Sequence, residues 1–254
     1  NALNMKIEGY LHDWEKKYGI TPEVDFNLGS RFNRILQAAA EQTGRGAVVL
    51  VDEYDKPLLD VLEKDPELLE QNREILKSFY SVFKQADASL RFVFLTGVTK
   101  FSQVSVFSGF NQPLDISMTE KFEALCGITE EELLTQFAEP IRKMAESDGC
   151  TEEDIRQKLK RHYDGYHFSK NMADIYNPFS LLNAFYNNDV RDYWFTSGTP
   201  SYLIRLMNHF HEGIDELTNK FYLPDEFINY KADVEYPLPM IYQSGYLTIK
   251  DYDK

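Results

Sequence analysis

The feature that most constrains this chain is the run Ala47-Val-Val-Leu-Val51, closed at once by Asp52-Glu53-Tyr54-Asp55. Consecutive β-branched residues without polar alternation are the pattern of a strand covered on both faces, and such strands belong to parallel sheets sheltered by helices. A second run of the same kind, Arg91-Phe-Val-Phe-Leu, ends in Thr96-Gly97. Between them, Leu68 to Ala86 carries Leu69, Ile75, Leu76, Phe79, Val82 and Phe83 at helical spacing. Strand, helix, strand is the crossover unit of a parallel sheet, and its hand is nearly always right. The expected class is therefore α/β.

Two helices are expected ahead of this unit. Met5 to Tyr18 places Ile7, Tyr10, Leu11 and Trp14 on one face, and Leu28 to Thr43 does the same with Phe32, Ile35, Leu36 and Ala39. Thr43-Gly-Arg-Gly46 stops the second, because glycine supplies the backbone angles a helix end needs. After Met118 the strand pattern gives way to helix starts. Thr129 and Glu132 form one reciprocal capping pair; another start lies at Thr151-Glu-Glu-Asp154. Asn177-Pro178 and Thr199-Pro200 each place a capping side chain before a first-turn proline. The organisation expected is a sheet-bearing part over residues 1–118. A mainly helical, winged-helix-like module follows over residues 119–254, ending in a strand pair near Met240 to Tyr252. Asn1-Ala2 resembles the remnant of a cleaved tag, and the last run ends as a strand without a partner. The chain is thus expected to be a segment of a longer protein.

Composition narrows the function classes. The chain has 254 residues, 43% of them hydrophobic, and a formal net charge of -14. An acidic surface repels phosphate backbones, which argues against a broad nucleic-acid-binding face. A run of about 18 apolar residues would be needed for a membrane helix, and the sequence contains none. The only cysteines are Cys126 and Cys150. That is not a disulfide framework, and the expected compartment is the cytoplasm.

The acids after the first strand carry the sharpest chemistry. In open α/β sheets, ligands bind outside the C-terminal ends of the strands. In P-loop ATPases the first acid there holds Mg2+ and the second orients the water that attacks the γ-phosphate of ATP. By itself the pair also fits a strand ending in a solvated turn. Thr96, at the end of the second strand, fits a polar sensor of the γ-phosphate, and equally a residue that caps a turn made by Gly97. The phosphate-binding loop itself, Gly-x-x-x-x-Gly-Lys-Ser/Thr, does not occur in the sequence; Thr43-Gly-Arg-Gly46 precedes a strand and reads as a turn.

Several runs together resemble a known family. They are Val49-Leu-Val-Asp-Glu-Tyr-Asp-Lys-Pro57, Phe94-Leu-Thr-Gly-Val-Thr-Lys-Phe-Ser102, Tyr163-Asp-Gly-Tyr-His-Phe168, Tyr176-Asn-Pro-Phe-Ser180 and Tyr193-Trp-Phe-Thr-Ser-Gly-Thr-Pro200. In this order they resemble the AAA-ATPase-like family of uncharacterised bacterial proteins, which often carry a PD-(D/E)XK nuclease-like domain at the C-terminus. The resemblance implies a P-loop ATPase core using ATP and Mg2+. It implies a metal role for Asp52, a catalytic-base role for Glu53 and a γ-phosphate-sensing region at Thr96, Thr99 and Lys100. It also implies a phosphate-binding loop upstream of this chain, so the full-length protein would hydrolyse ATP and the segment alone would be inactive.

Other residues carry weaker signals. His167 reads as part of a packed aromatic turn around Gly165 rather than as a metal ligand, and His209 and His211 would face different ways on a helix. Arg161, Arg191 and Arg205 are candidates to reach a phosphate from the helical module. A contrasting function is a non-catalytic scaffold on a degenerate nucleotide-binding fold, with the helical module contacting a protein partner. Paired carboxylates of a sugar hydrolase fit less well, because adjacent acids cannot flank a bond from opposite sides.

Overall fold

The computed structural model describes residues 1–22, 26–62, 64–98, 113–193, 217–218, 220–228 and 238–253. The chain divides into two compact units, Asn1–Leu114 with Ile228–Asp233, and Asp115–Phe227 with Val234–Lys254.

The first unit opens with α1 (Ala2–Tyr18) and α2 (Leu28–Thr43). Asn1 and Asn27 cap them, their side chains accepting from Leu3 N and Ser30 N. Each side chain satisfies one of the backbone donors that a helix start leaves unpaired. Leu11, Phe32, Ile35 and Leu36 are buried where these helices pack. The Phe32 ring lies between Trp14 at 5.8 Å and Phe79 at 4.8 Å.

Then follow β1 (Ala47–Val51), α3 (Lys56–Leu59), α4 (Pro66–Tyr80), α5 (Val82–Gln85) and β2 (Leu90–Leu95). β1 and β2 pair in parallel, with Val48 opposite Phe92 and Val51 opposite Leu95. The expected α/β character and parallel pairing are found. The helical stretch between the strands breaks at Ser81, whose hydroxyl donates to Ser78 O. Such a bond draws the side chain into competition with the helical ladder.

Burial of both strand faces is not found. Val48 and Leu50 are 55% and 69% exposed, and Phe92 is 54% exposed. The reason lies in the helices: α2 packs on β1 and also on α4 and α5, so these helices gather over one face. The other face of the described pair keeps a stripe of Val48, Leu50, Phe92 and Phe94, with the two phenylalanine rings stacked at 6.2 Å.

The second unit contains β3 (Ile128–Thr129), α6 (Glu130–Gln136), α7 (Ala138–Asp148), α8 (Glu152–Tyr163), β4 (Ile175–Tyr176) and α9 (Pro178–Asn187). Short helices α10 (Pro224–Ile228) and α11 (Leu238–Gln243) follow in the chain. Thr129 and Thr151 each start a helix with a complete capping box, closed by Glu132 and Asp154. Both acids are held below their ordinary values by bonds from those threonines. Leu133, Ile141, Met144, Ile155, Leu159 and Leu181 form the centre of one buried cluster.

Two expectations for this half are corrected. Strands do not vanish: β3 and β4 pair antiparallel, Ile128 opposite Tyr176. A Cβ at Gly127 would stand 1.8 Å from Ile175 Cγ2, so any larger residue here would force Ile175 to shift. The strand pair near Met240 to Tyr252 is not formed either. Leu238–Gln243 is helical, Gly245 turns the chain with φ 82, and Tyr246 N–H returns to Ile241 O at 3.0 Å. Beyond it, Thr248 Oγ1 accepts from His167 N–H at 2.8 Å and Ile249 O meets the His167 ring at 2.6 Å. Those bonds go to a turn and not to a second strand, and the winged-helix-like reading loses its wing among the described residues. The Thr199-Pro200 helix start lies outside the described residues.

Candidate functional site

The site is built at the C-terminal ends of β1 and β2. Parallel pairing brings both ends to the same edge, so Asp52-Glu53 and Thr96 meet although they are far apart in sequence. Thr96 N–H donates to Val51 O at 2.8 Å, and Tyr54 N–H donates to Thr96 O at 2.9 Å. These two bonds extend the pairing one step past the strands. The Thr96 hydroxyl donates to Asp52 Oδ1, and Thr96 Oγ1 in turn accepts from Glu53 N–H at 3.3 Å. Asp52 and Glu53 are both exposed.

Glu53 has φ 50. A left-handed backbone at a residue with a full side chain is uncommon and costs on the order of 1–2 kcal/mol. The turn persists because it is tied on both sides. Before it, β1 is locked to β2. After it, Lys56 N–H donates to Glu53 O at 3.0 Å and α3 begins at once, with Pro57 in its first turn.

Asp55 differs from the two acids before it. It is fully buried, and its Oδ1 accepts from Val98 N–H at 3.2 Å. Tyr54 and Tyr80 are buried beside it. Burial, and after it the negative charge of Asp55, push the Tyr80 phenol up to about 12. Gly97 fits tightly here: a Cβ on it would stand 2.6 Å from the Tyr54 ring and 2.8 Å from Asp55 Oδ1. Sequence reasoning did not single out Asp55. It occupies the N-cap position of α3, yet its side chain makes no cap bond there.

Of the residues expected at the site, Asp52, Glu53 and Thr96 are brought together. Thr99 and Lys100 lie outside the described residues. Among the described residues no group of three or more His, Cys, Asp or Glu side chains is placed to hold a metal ion. That does not conflict with Mg2+, which keeps several waters and takes one or two carboxylates plus substrate phosphate oxygens, not an all-protein cage. Asp52, exposed at a strand end with a hydroxyl beside it, fits that limited donor set.

The remaining candidates lie in the second unit. His167 is engaged at both ring nitrogens, by Ile249 O at 2.6 Å and by Asp174 Oδ1 at 2.8 Å. Ile249 ties the aromatic turn to the C-terminal segment, and together with Asp174 it leaves no ring nitrogen for a metal. Tyr166 stacks on Tyr242 at 5.9 Å and donates to its carbonyl at 2.6 Å. Arg161 is exposed. Arg191 pairs with Asp189 at 3.4 Å and lies over the Tyr193 ring. Arg205, His209 and His211 are outside the described residues. No described helix is long and apolar enough to cross a membrane.

The family described as "Predicted AAA-ATPase" matches residues 1–107, a stretch that contains β1, β2 and the residues between their ends. An "Uncharacterized protein in vnfD 5'region" of Azotobacter chroococcum mcd 1 is 38% identical over 250 residues, covering 97% of this chain. The chain spans 45% of that relative's length. No solved structure matches. Over residues 1–107, then, the chain is similar to the family described as "Predicted AAA-ATPase".

Proposed function

We propose that this chain supplies the metal-and-water edge of an ATP site in a longer protein that hydrolyses ATP with Mg2+. One observation carries the reading: consecutive acids leave the end of β1 while Thr96, at the end of the parallel neighbour, donates to the first of them. The match to the family described as "Predicted AAA-ATPase" over the same residues supports it. The sheet is read as part of a P-loop ATPase core, whose phosphate-binding loop would come from sequence outside this chain.

In this reading Asp52 takes part in holding Mg2+, which when bound would screen the phosphate charge. Glu53, aimed into solvent from its left-handed turn, accepts a proton from the attacking water. The Thr96 hydroxyl aligns the Asp52 carboxylate and stands where a γ-phosphate oxygen would be sensed. Thr99 and Lys100 are proposed to continue the sensing region. The helical second unit is the part proposed to convey the nucleotide state to a protein partner.

Steady-state turnover and nucleotide binding in the full-length protein test this. Glu53→Gln is expected to bind ATP with near-normal affinity and to lose turnover by at least about 100-fold, the scale of a lost general base. Unchanged turnover removes Glu53 from the chemistry. If full-length protein takes up no nucleotide at millimolar Mg-ATP, the scaffold function replaces the ATPase one.

A further inference from the structure

Asp55 is a buried acid that the chemistry above does not use. Its carboxylate sits behind the Asp52-Glu53 turn, fully buried, and its Oδ1 holds Val98 N–H at 3.2 Å. Asp55 and Val98 therefore join the two segments that carry the site, one residue group behind each chemical group. On the same line Gly97 lies against Tyr54 and Asp55 so closely that a Cβ would come within 2.6 Å of the ring and 2.8 Å of Oδ1. The hydrogen bond and the close fit both seat the Gly97-Val98 segment against Asp55 Oδ1, and the fit adds the Tyr54 ring.

We infer that Asp55 is a positioning residue of the ATP site, acting through the Val98 N–H bond and the close seat of Gly97 to place the Thr96 hydroxyl against Asp52 and Glu53. This rests on the ATPase reading and deepens it. The physical need comes from the turn itself. Glu53 is held at φ 50, and a strained backbone persists only where its surroundings over-determine it. The bond from Tyr54 N–H to Thr96 O pins the turn at one point. The other ties between the two segments here also end at Thr96; the bond from Val98 N–H to Asp55 adds one beyond it. A hydrogen bond to an ionised carboxylate is also stronger than one to a neutral acceptor, which suits a brace. Asp55 touches neither the metal nor the water in this scheme, so its effect passes through Thr96.

Misplacement of about 1 Å can cost about 100-fold in rate. In the full-length protein, Asp55→Leu is therefore expected to lower kcat about 100-fold and to change the KM for ATP less than about threefold. Asp55→Asn can still accept from Val98 N–H and is expected to stay within about tenfold of wild type. Gly97→Ala, which keeps every polar group, is expected to behave like Asp55→Leu. Thr96→Val provides the decisive background: if Asp55 works through Thr96, the two losses do not add in the double variant. Leu36→Ala, a core truncation in the same unit, controls for lowered stability; it is expected to lower Tm but keep kcat where it is folded.

Turnover in the wild type together with wild-type kcat in folded Gly97→Ala and Asp55→Leu overturns this inference and leaves the ATPase reading standing. Losses that add fully with Thr96→Val also overturn it. A wild-type protein that does not hydrolyse ATP overturns the ATPase reading and this inference with it.

Discussion

Glu53 shows what one residue contributes to this site and what it costs. Its φ of 50 is a conformation that glycine adopts freely and glutamate does not. Nothing in the packing demands a glutamate there: the side chain is exposed. A strained acid beside another acid at a strand end is what the proposed chemistry would require of Glu53. Glu53→Gly is accordingly expected to raise stability by up to about 1 kcal/mol, the left-handed strain relieved less the added freedom of the unfolded glycine. Turnover of the full-length protein is expected to fall as far as in Glu53→Gln. Chemical denaturation of this chain alongside the turnover assay checks both halves. A destabilised Glu53→Gly would mean that the glutamate side chain holds the turn.

Between elements, the joint of α1 and α2 is partly ionic. Arg31 grips Glu15 with two bonds, Nε to Oε1 at 2.8 Å and Nη2 to Oε2 at 2.7 Å. Glu15 is only 2% exposed. The bond from Arg31 outweighs the desolvation that opposes it, and the Glu15 carboxyl is held below its ordinary value of 4.5. A depressed acid stabilises the fold above the unfolded value, and that contribution fades as pH falls through the folded one. Glu15→Gln leaves Arg31 without its charge partner and is expected to cost on the order of 3 kcal/mol at neutral pH. The Tm difference from wild type should shrink below about pH 4.5. A difference that is flat from neutral to acid pH would mean that the pair contributes packing and not charge. The capping boxes at Thr129 and Thr151 act at the same scale but locally: each satisfies helix-start donors with a threonine and an acid three residues on. That is why both helix starts, and the box at Thr129, are legible in the sequence.

For the whole molecule, the uncovered strand face has a physical consequence. Val48, Leu50 and Phe92 lie together and are more than half exposed, on a pair of strands with no further strand beside it among the described residues. Apolar edge strands pair with one another when left open. Leu50→Lys is expected to lower concentration-dependent light scattering of this chain while shifting its stability by less than about 1 kcal/mol. Scattering that Leu50→Lys leaves unchanged would show that this face takes no part in association. The sequence alone determined what depends on neighbours along the chain. The periodic faces of α1 and α2, their glycine ends, the threonine caps and the strand of valines ending in Asp52-Glu53 are all set by local propensity and spacing. Tertiary structure decided what depends on residues far apart. Only the parallel pairing brings Thr96 onto Asp52, and only the fold buries Asp55 and sets it against Val98 N–H. The same holds for the errors. A continuous apolar run cannot say how many of its faces the helices will reach, so β1 reads as covered on both and is covered on one. The aromatic run after Met240 has strand-like composition, but Gly245 and the bonds to His167 hold it as a helix and a tethered segment. Propensity is weak over short stretches, and packing overrides it where a distant partner offers better hydrogen bonds.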